Sequence, residues 1–337
     1  MNRTKPSPRS VVVEAPARLH MGFLDVEHTA GRQFGGIGLT IDGLSTRIRA
    51  EHATSNSASA GRPRILRLLE ILQRKLELGM NRGVRIEVER SIPEHVGLGA
   101  GTQMALAVGC AVARLFDLDT SASQLAALLD RGRRSGIGIG AFDQGGFLVD
   151  GGSAVSGSSG VPPIVSRLVF PSQWRVLLVF DDSAQGLHGG EESGAFCALP
   201  MFPEARSAQL CRLVLLRALP ALQTANIEAF GAAITELQQV IGDHFAPVQG
   251  GRYASPRVAA ALTWFAGRGA PGVGQSSWGP TGFVIVESEA RARFLLDAAC
   301  AQWKGNTALR FAVCEGRNRG GEVWVREARA QNAANYA

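Results

Sequence analysis

The chain has 337 residues, of which 45% are hydrophobic and 19% charged, enough for two domains with buried cores. Arg, Gln or Gly interrupts every long apolar stretch within a dozen residues, and the first residues carry no apolar segment of the secretory type. We therefore expect a soluble cytoplasmic protein. The five scattered cysteines have no C-x-x-C spacing, which predicts reduced thiols and no cysteine metal site.

The charge indicates what kind of partner to expect. The formal net charge is +6, and all but three of the 35 basic residues are arginine. Arginine binds carboxylates and phosphates through paired N–H donors. Binding of nucleic acid would require a basic run with interleaved aromatic residues, and the sequence has neither. Small anionic substrates are therefore the expected partners, and nucleic acid and membranes are not.

Strand and helix patterns alternate along the first half. Apolar residues recur at helical spacing between Arg64 and Leu78, and alternation from Gly83 to Arg90 is typical of a half-buried strand. The predicted elements here are strands at 11–15, 38–49, 83–90 and 147–149, and helices at 64–78, 102–116 and from an N-cap at Ser121 or Ser123 to 133. Residues 134–146 are punctuated by glycine, and residues 151–163 are expected to form a hinge or domain boundary.

The second half carries the same kinds of signal. Residues 174–180 have the pattern of a buried strand, and Ser288 is a predicted helix N-cap. The predicted elements here are strands at 174–180, 282–287, 310–314 and 323–326, and helices at 204–219, 224–241, 255–267 and 288–303. Together the two halves predict an α+β architecture with two domains.

The most informative segment is the Gly-rich turn Gly97-Leu98-Gly99-Ala100-Gly101-Thr102, which opens directly into an apolar helix. Glycines allow a sharp turn whose N–H groups converge, and the helix adds its positive N-terminal end. A tight strand-to-helix turn is the structural alternative. We interpret the segment as a phosphate-binding loop, in which Thr102 either caps the helix or donates to a phosphate oxygen.

The Gly-rich turn and several other segments resemble those of a known family. Pro93-x-x-x-Gly97-Leu98-Gly99-Ala100-Gly101 resembles the second motif of the GHMP kinase superfamily, usually P-x-x-x-G-L-G-S-S, and residues 272–282 lie where its third motif would fall. Within the superfamily the chain looks like the β-ribofuranosylaminobenzene 5′-phosphate synthases, a non-kinase family. The similarity is carried by residues 17–25, 34–38, 97–103, 134–138, 142–146, 186–192, 249–251 and 274–281.

The resemblance implies a two-domain GHMP-kinase-like fold. Its N-terminal domain, residues 1–165, would be like domain 2 of ribosomal protein S5 and hold the phosphate loop. Its C-terminal domain, residues 166–337, would be ferredoxin-like. It also implies a homodimer.

The implied reaction joins phosphoribosyl pyrophosphate to 4-aminobenzoate, releasing CO₂ and pyrophosphate, in tetrahydromethanopterin biosynthesis and one-carbon metabolism. Mg²⁺ is the expected cofactor, and pyridoxal phosphate, nicotinamide and flavin are not expected. Only Lys75 and Lys304 lie outside the N-terminal arm, and neither falls in a family-like segment that could carry a pyridoxal Schiff base. 4-Hydroxybenzoate is an open alternative, since its para oxygen can also push electrons into the ring.

One departure from the kinase pattern bears on activity. Kinases of the superfamily commonly place a catalytic Asp in an S-G-x-D context, whereas here Ser135-Gly136-Ile137 is followed by Gly138. Glycine has no side chain to orient or deprotonate an accepting hydroxyl. Phosphoryl transfer to an alcohol is therefore not expected, although a small-molecule kinase and a non-catalytic phosphate-binding module remain as alternatives.

The candidate site residues fall into three groups. The candidate catalytic residues are Arg18, His20 and Asp25; alternation after Pro16 places the first two on one face, while Asp25 could simply cap a turn. The predicted metal ligands are Asp143, Glu191 and Glu192, and a solvated helix start is the alternative for the two glutamates. The predicted phosphate- and substrate-binding residues are Gly97, Leu98, Gly99, Ala100, Gly101, Thr102, Gln103, Arg134, Ser135, His188, Gln249, Gln275, Ser276, Ser277, Trp278 and Thr281.

Overall fold

The computed structural model describes residues 8–27, 31–59, 62–79, 82–155, 160–187 and 189–327. The strands are β1 (Pro8–Asp25), β2 (Arg32–Ala53), β3 (Ser57–Ala58), β4 (Gly83–Arg90), β5 (Phe147–Asp150), β6 (Ser153–Ala154), β7 (Ile164–Leu168), β8 (Arg175–Asp181), β9 (Gly272–Gln275), β10 (Gly282–Val286), β11 (Leu309–Glu315) and β12 (Glu322–Glu327). The α-helices are α1 (Pro63–Lys75), α2 (Ala100–Leu115), α3 (Ala122–Leu128), α4 (Ile137–Asp143), α5 (Gly190–Ala198), α6 (Glu204–Leu213), α7 (Leu219–Gln223), α8 (Ile227–Gln249), α9 (Pro256–Ala266) and α10 (Glu289–Gln302). A π-helical turn, Val214–Ala218, joins α6 to α7.

A long hairpin organises the first sheet. β1 and β2 pair antiparallel from Ser10 to Asp25, and the strand order β12-β1-β2-β4-β3 extends the sheet on both sides. β5 and β6 also pair with β2, and β7 pairs with β5. The apolar face of amphipathic α1 packs with α2 and α3 over the first half of this hairpin.

The second sheet is buried on both faces. Its order is β11-β8-β10-β9, and all its pairings are antiparallel. Alternate residues of β8 enter different cores: Val176 and Leu178 pack with α8 and the end of the first hairpin, whereas Leu177 packs with α9 and α10. The predicted buried strand at 174–180 and the predicted α+β architecture are confirmed.

Several short elements are not predicted from the sequence. α4, α5 and β9 contain glycine, and β3, β6, β7 and α7 have five residues or fewer. For residues 134–146 the sequence predicts only a glycine-punctuated segment. The helix predicted at 204–219 is instead divided by the π-helical turn. The predicted domain boundary at 165/166 falls within β7. The division into two domains stays a prediction.

Among the described residues, no helix has both the length and the apolar character needed to cross a bilayer.

A buried arginine connects the turn between β11 and β12 to the first sheet. Arg317, 3% exposed in its side chain, donates from Nη1 to Asp42 at 2.9 Å and from Nη2 to the Gly320 carbonyl at 2.9 Å. Its backbone N–H donates to the Thr40 carbonyl at 2.8 Å. Asp42 belongs to the stretch of β2 that bulges out of register with β1, between Ile41 and Ser45. The guanidinium thereby fixes the turn between β11 and β12.

We expect Arg317→Ala to lower the free energy of unfolding by roughly 3 kcal/mol, because it removes a buried guanidinium that donates to partly buried carbonyl groups and pairs with Asp42 at 2.9 Å. Arg319→Ala is the matched control: Arg319 also lies near Asp42 but is 62% exposed, so its loss should change stability by less than about 1 kcal/mol. Urea denaturation of both variants measures the difference. Equal losses would contradict the role given to Arg317.

Candidate functional site

Two irregularities in the first hairpin flank the candidate catalytic residues. The β1–β2 register shifts between Pro16 and Ala17 and again between His20 and Gly22, so Arg18 and His20 lie on the short regular stretch between them. Such shifts bend a strand and re-aim its side chains, and they are common beside active sites. The sequence predicted the shared face of Arg18 and His20 but not these bulges.

The Gly-rich turn lies directly against Arg18. Gly99 is the N-cap of α2 and, like Gly97, has a positive φ that favours glycine. The Arg18 N–H donates to the Leu98 carbonyl at 3.2 Å, and Arg18 Nη1 donates to the Gly97 carbonyl at 2.6 Å. Arg18 is therefore held at the start of α2, where the first backbone amides of a helix have no acceptor in the preceding turn; the Thr102 N–H already donates to the Gly99 carbonyl at 3.1 Å.

A third segment, the turn at Ser276 and Ser277, completes this junction. Ser276 Oγ accepts from the His20 N–H at 3.0 Å and donates to the Gly97 carbonyl at 2.8 Å, and the Ser277 N–H donates to the His20 carbonyl at 3.0 Å. A side chain at Gly97 would overlap the Ser276 carbonyl. β1, the Gly-rich turn and the 276–277 turn can therefore meet only because residue 97 has no Cβ.

These segments border an open cleft of about 390 Å³. Its walls include residues 97–102, Ser277 and Trp278, together with three arginines, Arg18, Arg64 and Arg131. The cleft thus combines a helix N-terminus with several guanidinium groups. This composition suits a ligand that carries phosphate groups.

Burial changes the ionisation of both candidate catalytic residues. Burial lowers the pKa of Arg18 to about 10, with partial compensation from the Glu192 carboxylate, so Arg18 stays charged at neutral pH. Burial and the positive charge of Arg18 lower the pKa of His20 to about 3. The imidazole is therefore neutral at neutral pH, and its buried Nε2 has no hydrogen-bond partner within the described part of the chain.

Trp278 closes one side of the cleft within an aromatic cluster. Its ring packs against Phe245 and Phe196, at centroid distances of 4.6 and 5.2 Å. Its Nε1 donates to Glu192 at 3.1 Å, and Arg134 pairs with the other oxygen of Glu192 at 2.9 Å. Arg134 thus holds α5 against the cleft wall through Glu192.

A smaller cavity of about 30 Å³ lies on the other side of Ser277 and Trp278, and His20 contributes to its wall. Gln275 donates from Nε2 to the Ser277 carbonyl at 3.1 Å and to Gln249 Oε1 at 3.4 Å. Gln238, which the sequence did not single out, accepts from the Gln275 N–H and donates to the Met21 carbonyl. These glutamines connect α8 and β9 to β1.

Three other predicted residues point away from the cleft or are occupied. Gln103 is fully buried and donates from Nε2 to the Gly138 carbonyl at 2.7 Å. The Ser135 hydroxyl donates to Asp150 at 2.8 Å. Thr281 is buried behind the 276–277 turn, where its carbonyl accepts from Ser276. His188 lies outside the described residues.

The predicted carboxylates are not brought together. Asp25 accepts from the Glu27 N–H at 3.0 Å, as in a capped turn. Asp143 is exposed at the end of α4, beside the turn at Gly320, whereas Glu192 faces Arg134 and Trp278. Among the described residues no three His, Cys, Asp or Glu side chains are grouped as for a metal. The side chains that the structure describes therefore do not fit a resident Mg²⁺ site, and a Mg²⁺ ion bound among them would depend mainly on phosphate oxygens of a ligand.

Sequence reasoning did not single out Arg64 and Arg131. Arg64 is the second residue of α1, and Arg131 follows α3, so both are distant in sequence from the Gly-rich turn. The only signals were the arginine-rich composition and the run of arginines around Arg133. Neither could show which of these side chains face the loop.

The lowered pKa of His20 predicts a pH-dependent stability. The unfolded chain binds a proton at His20 below about pH 6.5, whereas the folded chain does so only near pH 3, so stability falls as pH falls through this range. Between pH 7 and pH 5 this residue should account for about 2 kcal/mol of lost stability.

We expect His20→Gln to reduce the loss of unfolding free energy between pH 7 and pH 5 by that amount, in denaturation curves at both pH values. His52→Gln, at an exposed position, is the control and should leave the loss unchanged. A wild-type pH dependence in His20→Gln would show that the buried imidazole is not the group that titrates.

Comparisons with known proteins agree with this architecture. The N-terminal GHMP kinase domain model matches residues 64–151, and the GHMP kinase C-terminal model matches residues 218–305. A solved homoserine kinase from Cytophaga hutchinsonii superimposes with a TM-score of 0.66 at 15% identity, covering 96% of this chain and 100% of that chain. At that identity the likeness shows the fold alone, and it confirms the predicted GHMP-kinase-like class.

The sequence relatives are more specific. Beta-ribofuranosylphenol 5′-phosphate synthase from Archaeoglobus fulgidus is 33% identical over 325 residues, covering 93% of this chain and 99% of the relative. The protein of the same name from Methanothermobacter thermautotrophicus is 29% identical, covering 92% of this chain and 97% of the relative. The chain therefore belongs to the beta-ribofuranosylphenol 5′-phosphate synthase family of enzymes, within the GHMP kinase superfamily.

Proposed function

We propose that this enzyme is a decarboxylating pentosyltransferase that joins the phosphoribosyl group of phosphoribosyl pyrophosphate to a para-substituted benzoate. The observation that carries the proposal is at Gly138, where kinases of the superfamily commonly have a catalytic Asp. A Cβ there would come within 3.2 Å of the Thr102 side chain, which lines the cleft. The cleft suited to phosphate groups is present, but the position expected for a kinase's base, beside the cleft residue Thr102, has no side chain.

The proposed reaction needs no base. The bond between the anomeric carbon and the pyrophosphate oxygen breaks, and pyrophosphate leaves with the electron pair. The ring carbon bearing the carboxylate then bonds to the anomeric carbon, with electrons supplied by the para substituent. Loss of CO₂ returns an electron pair to the ring and restores its aromaticity. Attack on the face opposite pyrophosphate converts an α donor into a β product.

The cleft residues have distinct roles in this scheme. Arg18 and the first amides of α2 stabilise negative charge that develops on the leaving pyrophosphate. Neutral His20 lies behind Arg18 and adds no second positive charge beside the oxocarbenium-like carbon. Ser277, between the two cavities, is placed to donate to the aromatic carboxylate. Trp278 closes the site with its ring.

The aromatic acid is the open choice. 4-Aminobenzoate is the substrate expected from the sequence resemblance, whereas the name of the relatives describes a phenol product, which 4-hydroxybenzoate would give. Both acids carry a para group that donates electrons to the ring. In either case the product would enter tetrahydromethanopterin biosynthesis. Mg²⁺ bound with pyrophosphate, a homodimer and a cytoplasmic location are parts of this proposal.

The deciding experiment follows ¹⁴CO₂ release from each carboxyl-labelled acid, with phosphoribosyl pyrophosphate or ATP as the co-substrate. We expect release that requires phosphoribosyl pyrophosphate and does not respond to ATP. The ratio of kcat/KM for the two acids identifies the natural aromatic substrate. No release with either acid would overturn the proposal, and ADP formation dependent on an added alcohol would indicate a kinase instead.

Replacing Arg18 tests the placement of the reacting centre. We expect Arg18→Gln to lower kcat by about 100-fold, because one positioned donor to a developing negative charge is typically worth that much. Single-turnover ¹⁴CO₂ release measures the chemical step directly. Arg32→Gln, an arginine on the same hairpin that donates to the carbonyls of Gly151 and Gly152, is the control and should retain turnover. Wild-type kcat in Arg18→Gln would move the reacting centre elsewhere.

A further inference from the structure

Two arginines outside the family-like segments face the Gly-rich turn. Arg64 and Arg131 both line the cleft. Arg64 approaches one carboxylate, Glu94, at 4.0 Å, which is the limit of an ion pair. The Nε atom of Arg131 is buried and has no hydrogen-bond partner within the described residues, as is also true of Arg18 Nε. Buried guanidinium donors without acceptors indicate that something else accepts from them.

The glycines of the turn make room for these cations. A Cβ at Gly99 would lie 3.3 Å from the Arg18 guanidinium carbon, and a Cβ at Gly101 would overlap Arg64 Nη2. The superfamily motif usually has serine at the second of these positions, whereas this chain has glycine. Any side chain at residue 101 would displace the Arg64 guanidinium from its present position. Gly101 is an ordinary helical residue of α2, so the absence of a side chain there serves to leave room for this guanidinium.

The arginines also repel one another. Burial lowers the pKa of Arg131, and the positive charge of Arg64 lowers it further. The same cleft contains Arg18 and the positive end of α2. Its carboxylates are Glu94 and Glu192, and Glu192 is engaged by Arg134 and Trp278. An anion with several oxygens would relieve this repulsion and fill the empty donor positions.

We propose that Arg64 and Arg131, together with Arg18 and the N-terminus of α2, form a binding site for a diphosphate group. A diphosphate spreads its oxygens and negative charge over two phosphate groups, and so it suits three separate guanidinium groups and the helix amides better than a single phosphate does. Identification of this group as the pyrophosphate of phosphoribosyl pyrophosphate rests on the proposed function. The arginine side chains themselves supply the positive charge at this site. In a metal-dependent site a Mg²⁺ ion held by grouped carboxylates would supply it.

The test is calorimetric titration with inorganic pyrophosphate in the presence of EDTA, with inorganic phosphate as the comparison ligand. We expect wild type to bind pyrophosphate at least 10-fold more tightly than phosphate. Arg64→Gln and Arg131→Gln should each weaken pyrophosphate binding at least 10-fold, and Gly101→Ala should do so by displacing Arg64. Arg133→Gln is the matched control: it removes the same charge two residues from Arg131, at an exposed side chain paired with Asp130, and should change affinity less than twofold.

Thermal unfolding of each variant confirms that the fold is retained. Pyrophosphate affinities of Arg64→Gln and Arg131→Gln within twofold of wild type would overturn the site, as would wild type that prefers phosphate.

Competition distinguishes the sources of the diphosphate. Displacement of pyrophosphate by phosphoribosyl pyrophosphate but not by ADP supports the ribose donor, and stronger displacement by ADP would overturn that assignment. Arginine-dependent pyrophosphate binding without CO₂ release in the enzymatic assay would support the site and overturn the proposed reaction.

Discussion

The carbonyl group of Gly97 is the point on which the candidate site depends. It accepts from the Arg18 guanidinium and from the Ser276 hydroxyl, and Ser276 in turn accepts from the backbone of His20. Three segments distant in sequence, from β1, from the turn before α2 and from the turn after β9, are thereby joined through one peptide group. Such buried, mutually satisfied polar contacts specify a single arrangement, because any slip leaves a donor or an acceptor unpaired.

This junction separates two electrostatic environments. On the side of the Gly-rich turn the cleft has three arginines and a helix N-terminus, an arrangement that attracts anions. On the other side His20 is buried against Phe23 and held neutral. Positive charge is therefore concentrated where phosphate oxygens would lie, and the neutral imidazole of His20 adds none in the wall of the smaller cavity.

Local sequence signals predicted much of this fold, and contacts distant in sequence account for the rest. β4 has its predicted bounds, and the predicted N-caps Ser121 and Ser288 both accept from the third backbone N–H of their helices. The glycines of α4 weaken its helical pattern, so the sequence did not predict this helix. In the structure its position is fixed by a hydrogen bond that Gln103 donates to the Gly138 carbonyl. The four-residue strand β9 forms because it pairs with β10 and packs on α8. The residues of β9 alone give no signal for either contact.

The candidate site shows the same division between local sequence signals and contacts distant in sequence. Periodicity could place Arg18 and His20 on one face, and glycine spacing could indicate an anion at the start of α2. The direction of Arg64 and Arg131 depends on how α1 and α3 pack on α2, for which the sequence has no local signal. The predicted carboxylate ligands failed to group because Asp143 lies at the far end of α4 from the N-cap that adjoins Arg134.

The return of β12 to the first sheet has a consequence for biosynthesis. β12 covers the outer edge of β1 by pairing from Ser10 to Glu14, and Arg317 secures the turn that leads into it. During synthesis on the ribosome, β1 (Pro8–Asp25) and β2 (Arg32–Ala53) emerge long before β12 (Glu322–Glu327). The nascent N-terminal half therefore exposes an unpaired strand edge until β12 has been synthesised, a state that favours association with other chains. Protection of this edge by a chaperone, rather than early independent folding, would keep the unfinished protein soluble.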